Sequence, residues 1–313
     1  MNITLKDMAA RLSCKKECII YYHKKPDGDA IGCAYALLLA LRSRGCRAAA
    51  VCPDSVPDKY RSLVSGIPND EVEHPAIVAV DCSAPYRLGR YAETTIDFCI
   101  DHHEQNTIDA RFKYIDGGAS SCCEIVFALL KQMDVKITPR IAGLLYFGLM
   151  TDTDSFRSIN TTPASFAAAA ELTALGADHL AAAALYSAKS PARMEMEQRL
   201  CASFHYTCGR RVLGSMLTYQ DYSEVGIKDS ELDGLNALVE HVDGVVLGIV
   251  VRELKPGSCR ISVRAAAGYD ADAVCRRMGG GGHVNAAGAE LSGTPAEVLA
   301  RAEDQCRLYL ERV

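Results

Sequence analysis

The chain has 313 residues, 49% of them hydrophobic and 23% charged, with a formal net charge of −5. That length predicts two hydrophobic cores. The acidic balance argues against a protein that coats long duplex nucleic acid, which needs many lysine and arginine contacts to phosphate. No apolar run reaches the roughly 18–20 residues of a membrane span. The start, MNITLKDMAARLSCKKE, has an amphipathic rhythm in place of the basic stretch and apolar core of an export signal. The 14 cysteines form no C-x-x-C pair. They are expected as reduced thiols, mostly in the core (Cys33, Cys99 and Cys201 among them), of a cytoplasmic protein.

Apolar β-type runs open the chain at Cys18 to Tyr22, Cys46 to Cys52, Ala76 to Val80 and Ile96 to Ile100, with a helix from about Ala30 that Gly45 can cap. Runs apolar throughout, separated by helices, predict an α/β fold whose mostly parallel sheet is buried on both faces. Helices are expected at about Ser120 to Met133, Pro139 to Met150, Pro163 to Leu175 and Asp178 to Ser187. The segment AKSPARMEMEQ, 188–198, combines a proline with charge and is read as a linker between domains at 1–187 and 199–313. The second is expected to be a smaller α/β unit. Its strands are predicted at Val212 to Tyr219, Val245 to Glu253 and Arg260 to Ala266, its helices at Ser230 to His241, Ala271 to Met278 and Pro295 to Glu311.

The polar residues gather where those runs end. His23, Asp27 and Asp29 follow the first strand directly, at the carboxyl edge where open α/β sheets form their sites. Asp29 alone could serve as a helix N-cap, whereas His23 and Asp27 lack that explanation. The run AIVAV ends in Asp81, and IDFCI ends in Asp101, His102 and His103. The end of an apolar helix, LMTDTDSFR, adds Asp152 and Asp154. A histidine pair such as that in IDHHEQN is usually an idle, solvated one, but these carboxylates supply partners. So many anionic groups on one rim would repel one another unless cations lay between them. The mixed oxygen and nitrogen donors suit Mn²⁺ or Mg²⁺ better than a thiolate zinc site, and their number exceeds one ion's needs. Two such ions are the clamp that phosphoester hydrolysis uses.

HKKPDGDAIG, Asp81 in VAVDCS, IDHH and TDTDSFR resemble the four ordered motifs of the DHH phosphoesterases, over about residues 15–160. ISVRAAAGYDADAVCRRMGGGGHVNAAGAEL, 261–291, resembles that family's DHHA1 substrate-binding domain. The resemblance implies two Mn²⁺ (or Mg²⁺) ions, one held by His23 and Asp27, the other by Asp29, His102 and Asp152, with Asp81 bridging them. It places His103 at the scissile phosphate or leaving oxygen. Asp101 is then expected to orient a histidine ring. Asp154 departs from the family's usual glycine and is expected to be solvated or behind the ligands. Arg157 is read equally as a phosphate contact and as a surface salt bridge. Arg264 is a fit donor for bidentate phosphate contact. Four glycines without side chains permit close approach to a nucleotide. Arg264, Gly280, Gly281, Gly282 and His283 are therefore expected to anchor the end of the substrate that is not cut.

A compact DHH–DHHA1 chain without sensor or membrane segments looks most like the nano-RNase and pAp phosphatase group of this family. The partners so implied are short RNA oligonucleotides and small nucleotides, with a homodimer as the assembly, no long duplex and no membrane. A cyclic or linear di-adenosine phosphodiesterase is the alternative within enzymes, and a catalytically silent nucleotide sensor the alternative outside them. His74, His179, His205 and His241 lack comparable context and are read as surface or structural residues.

Overall fold

The computed structural model describes residues 1–232 and 234–312. The chain divides into two compact units, Met1–Ala188 and Lys189–Val313. The first runs α1 (Leu5–Ser13), β1 (Glu17–Tyr21), α2 (Gly28–Ser43), β2 (Arg47–Val51), α3 (Arg61–Val64), β3 (Ala76–Val80), β4 (Ile96–Asp101), β5 (Ala110–Ile115), α4 (Cys122–Gln132), α5 (Pro139–Asp152), α6 (Pro163–Ala174) and α7 (His179–Ser187).

Its five strands form an all-parallel sheet in the order β2-β1-β3-β4-β5. The order reverses between β1 and β3. A doubly wound sheet opens a crevice at such a switch point, outside the carboxyl ends of its strands. The helix α2 is apolar on nearly every side and buried along most of its length, so it lies inside the layer rather than over it. It packs antiparallel against α5: Gly28 meets Thr151, and Gly32 lies so close to the Leu144 carbonyl that a β-carbon would fall 2.5 Å from it. This close approach brings the carboxyl end of α5 beside the amino end of α2. The sheet's other face is covered by a short turn of 3₁₀ helix, Pro85–Tyr91, whose Leu88 is buried among Tyr21, Ala79 and Cys99.

The second unit comprises α8 (Pro191–Ala202), β6 (His205–Thr207), β7 (Val212–Leu217), α9 (Tyr219–Val225), β8 (Leu247–Lys255), β9 (Ser258–Ala265), α10 (Ala271–Arg276), β10 (Gly281–Gly282), β11 (Ala286–Ser292) and α11 (Pro295–Leu310). Its mixed sheet has the order β10-β11-β9-β8-β7-β6. Alternation of side chains splits two cores across it: Leu247, Ile249 and Val251 of β8 face Val298 and Ala302 of α11, while Val250 joins Met196 and Leu200 of α8.

Three sequence expectations differ from these elements. The segment 188–198, read as a linker, is helical from Pro191 onward under a Ser190 cap, while the division between the two units falls at its start. The helix expected over 230–241 is replaced by 3₁₀ turns at Asp229–Glu231 and Leu235–Val239, with Gly234 left-handed between them; Asp233 lies outside the described residues. All fourteen cysteines are free, and Cys33 and Cys99 are buried as expected, but Cys201 is exposed on α8. Among the described residues no helix is long and apolar enough to cross a membrane.

Candidate functional site

Five elements deliver charged groups to the crevice between β1 and β3. His23 follows β1, Asp27 and Asp29 open α2, Asp81 follows β3, Asp101 ends β4 with His102 and His103 behind it, and Asp152 ends α5. Their donor atoms fall into overlapping groups within 4.8 Å: His23, Asp27 and Asp81; Asp29, His102 and Asp152; and Asp81, Asp101, His102 and His103.

Asp81 stands at the centre of the first and third groups. It takes a left-handed backbone with φ 48°, a conformation that costs a non-glycine residue about 1 kcal/mol or more. Its amide still donates to the Ile100 carbonyl, so the sheet pairing holds the strained residue in place. Oδ2 lies 3.4 Å from His23 Nε2, and Oδ1 lies 3.6 Å from His102 Nε2. Asp152 Oδ2 is 3.4 Å from that same His102 nitrogen, and Asp27 Oδ2 is 3.6 Å from His23 Nε2. Two donors each about 2.1 Å from a shared ion, at angles between square and tetrahedral, sit roughly 3.0–3.4 Å apart. The spacings are thus close to those of ligands around cations and long for direct hydrogen bonds.

The electrostatics agree. Asp81 Oδ1 is buried with no hydrogen-bond partner among the described residues, an expensive state for a carboxylate oxygen unless something positive faces it. Asp152 sits at a helix carboxyl end with no basic residue in the last turn, where the helix dipole disfavours an anion. Burial, then the charges of Asp81 and Asp27, push the Asp152 carboxyl up to about 8. Burial, Asp81 and Asp152 likewise hold Asp29 well above the usual carboxylate range. At His23 burial opposes charge, but the attraction of Asp27 and Asp81 wins and raises it to about 10. Carboxylates so crowded recruit protons wherever cations do not neutralise them, and the donor set therefore fits bound metal cations.

Several of these side chains are held from behind. His23 Nδ1 lies 2.8 Å from the Lys24 carbonyl, which fixes the tautomer that leaves Nε2 free as a ligand. The Asp29 carboxylate accepts from the Cys122 and Cys123 amides (2.6 and 2.8 Å) at the start of α4. Sequence reasoning gave the capping option to Asp29, but Asp27 is the cap: its Oδ1 accepts from the Asp29 and Ala30 amides while Oδ2 faces His23. A single carboxylate serves both purposes because its two oxygens point apart.

The adjacent histidines are not equivalent. His102 presents Nε2 to Asp81 and Asp152, whereas His103 Nδ1 is committed to the buried Asp101 at 2.8 Å. Asp101 also accepts from Asn106 Nδ2 at 2.6 Å and from the His102 amide. The hydrogen bond to Asp101 raises the His103 imidazole above its ordinary value, and Nε2 is the ring nitrogen left for a ligand. His103 borders a cavity of about 590 Å³ lined by the loops Ser83–Tyr86 and His103–Thr107.

Arg157 and Asp154 do not join this cluster. They form an exposed pair at 3.1 Å, and Asp154 also accepts from Tyr186 Oη at 2.7 Å. In this structure Arg157 is engaged in a surface salt bridge. A different arginine, absent from the sequence reading, lies nearby: Arg87, half-buried on the Pro85–Tyr91 turn, makes no side-chain hydrogen bond or ion pair among the described residues. Behind burial and His23 at Asp27, and behind Asp101 and burial at His103, its positive charge still favours loss of their protons.

In the second unit Arg264 has a carboxylate partner, Glu240, at 2.7 Å. The glycine run is no linker. Gly281 and Gly282 pair with Gly288 and Ala287 of β11, the Gly282 amide donates to Asp272 Oδ1 at 2.7 Å, and a β-carbon on Gly280 would collide with the Gly288 carbonyl. His283, exposed, closes a turn with Ala286, which lies across from Arg264 in the β11–β9 register.

A model of the DHH family's N-terminal domain matches residues 17–149, and a model of the DHHA1 domain matches residues 214–311. The chain belongs to the DHH family. Over 280 residues it is 28% identical to the bifunctional oligoribonuclease and PAP phosphatase NrnA of Thermus thermophilus, covering 87% of this chain and 83% of that protein. It is 25% identical over 288 residues to the probable bifunctional oligoribonuclease and PAP phosphatase NrnA of Streptococcus mutans, with 91% and 92% covered. The DHH fold itself is matched by the crystal structure of an exopolyphosphatase-related protein from Bacteroides fragilis, at a TM-score of 0.84 and 21% identity, covering 97% of this chain and 96% of that one.

Proposed function

We propose that this DHH protein is a metal-dependent phosphoesterase that hydrolyses short oligoribonucleotides to mononucleotides and 3′-phosphoadenosine 5′-phosphate (pAp) to AMP. The observation that carries the reading is Asp81, a strained, buried carboxylate whose two oxygens face two different donor groups, one of them with no hydrogen-bond partner. Two relatives named for these activities, each similar over most of its length, support the substrate class.

His23, Asp27 and Asp81 would hold one Mn²⁺ or Mg²⁺, and Asp29, Asp81, His102 and Asp152 the second. Bound there, such ions supply Lewis acidity to a phosphoryl oxygen and make water a competent nucleophile at neutral pH. The chain's own groups supply orientation and proton handling. The Lys24 carbonyl fixes the His23 tautomer, and the α4 amides fix Asp29. His103, held through Nδ1 by Asp101, offers Nε2 to the phosphate or to the leaving oxygen. In the second unit Arg264 and His283, with the close backbone of Gly280, Gly281 and Gly282, are assigned to the part of the nucleotide that is not cut. Glu240 must then give way for Arg264 to take a phosphate.

The test is the full chain with Mn²⁺, offered a dinucleotide, a pentanucleotide, a long single strand, pAp and cyclic di-AMP in parallel. The dinucleotide and pAp are expected to turn over fastest. Equal rates on the long strand would overturn the short-substrate reading, and cleavage of cyclic di-AMP alone would move the assignment to that signal nucleotide.

A further inference from the structure

The cavity beside His103 has no role in the metal chemistry, yet its walls are built. Thr107 donates through both its amide and its hydroxyl to the Ser83 carbonyl (2.7 and 3.2 Å), and Asn106 Nδ2 donates to the Cys82 carbonyl at 2.9 Å, so the loops after β3 and β4 are laced together. The Lys24 amide donates to the Arg87 carbonyl at 2.8 Å, which ties the Pro85–Tyr91 turn to the loop carrying His23 and Asp27. On this pinned turn Tyr86 is 67% exposed, with the Lys24 ammonium 5.3 Å from its ring centre. An aromatic ring left in water at the wall of a cavity, backed by a cation, is a platform on which a nucleobase stacks. The neighbouring Arg87 keeps a guanidinium without an ion-pair partner among the described residues, where a phosphate can be received in bidentate fashion.

We propose that the Pro85–Tyr91 turn is a nucleotide subsite: Arg87 receives a phosphate at the rim of the metal-binding crevice, and Tyr86 stacks the attached base in the cavity beside His103. This deepens the nucleotide-hydrolase reading and rests on it. The subsite recognises a 5′- or 3′-nucleotide by its phosphate and aromatic base, with little choice among bases, because stacking uses the π-face that every base has. It lies entirely within the first unit.

The chain has no tryptophan, so a Tyr86→Trp variant carries a single indole reporter. In the full chain with Mn²⁺, AMP is expected to quench that emission saturably, and ribose 5-phosphate, which keeps the phosphate and lacks the base, is expected to leave it unchanged. Tyr86→Ala should weaken AMP binding about tenfold and spare ribose 5-phosphate. Arg87→Gln should weaken both about equally, again by about tenfold. If calorimetry shows AMP bound while the indole emission stays constant and Tyr86→Ala binds normally, the base sits elsewhere and the subsite is refuted. Unchanged AMP affinity in Arg87→Gln refutes the phosphate contact. Hydrolysis of the dinucleotide and pAp by the wild-type chain is read separately, so quenching without turnover would keep the subsite and sink the catalytic assignment.

Discussion

The two units treat buried and half-buried charge in opposite ways. In the second, cations and anions answer one another: Arg264 pairs with Glu240, Arg252 with Asp229, and Asp272 with both Arg276 and the Gly282 amide. In the first, Asp27, Asp29, Asp81 and Asp152 crowd one another with His23 and His102 between them, and no lysine or arginine pairs with them among the described residues. Paired charges need nothing further from solution. Crowded like charges hold a fold in place only if something from solution joins them, so a cluster of one sign is the better mark of a site than the number of charged residues.

The sharpest way to break this contrast is Asp81→Asn. Losing the carboxylate whose oxygens face both groups is expected to lower kcat by about 10³-fold or more, roughly 4 kcal/mol of transition-state stabilisation, and to abolish tight Mn²⁺ binding in calorimetry. Removing one of several crowded charges should also raise the stability of the metal-free protein by roughly 1 kcal/mol. The variant should therefore melt above wild type in chelator and respond less to added Mn²⁺. Full activity, or a lower melting temperature in chelator, would mean that Asp81 is an ordinary structural carboxylate.

The next test separates the paired histidines. His102→Ala is expected to weaken Mn²⁺ binding about 10–100-fold. His103→Ala should leave Mn²⁺ affinity near wild type and slow turnover about 10²-fold, the usual worth of a positioned proton-transfer group. The reverse pattern would overturn the division of labour that Asp101 imposes. Asp101→Ala should resemble His103→Ala more than His102→Ala, since its carboxylate holds Nδ1 of His103.

In the second unit the same contrast makes a smaller claim. Arg264 already has Glu240, so Arg264→Ala should raise KM for pAp about tenfold with kcat little changed, the signature of uniform binding lost. Glu240→Gln frees the guanidinium and should lower that KM. A rise in KM in both variants would show that the pair is a structural bridge.

What the sequence made legible follows from the same physics. The ends of β1, β3 and β4 stood out because a strand buried on both faces is apolar throughout, and the first polar residue after it marks the rim. Strand β5 went unseen: as the edge of the sheet, its ARFKYI mixes charge with apolar residues. Strand β11, AAGAELS, is too poor in branched side chains to read as a strand, and it forms by pairing along its whole length with β9, where Gly288 lies close against the Ile261 carbonyl. The capping role of Asp27 was missed because capping was treated as excluding a second role. Tyr86 and Arg87 carried no signal at all, since a backbone bond from Lys24, more than sixty residues earlier, places their turn beside the crevice.

Arg157 gives the smallest effect and the cleanest check that proximity in sequence is not function. It stands five residues after Asp152 within TDTDSFR, the motif that suggested a phosphate contact, yet its side chain is 72% exposed and paired with Asp154 in a turn where Asp154, Ser155 and Phe156 are all left-handed. Exposed pairs of this kind contribute about 0–1 kcal/mol. Arg157→Ala is therefore expected to change kcat/KM for pAp by less than about threefold, whereas Arg87→Gln, on a turn far away in sequence, costs about tenfold. Should Arg157→Ala prove the more damaging of the two, the Asp154 pair must open in the working enzyme, and the phosphate contact returns to the residue that the motif first indicated.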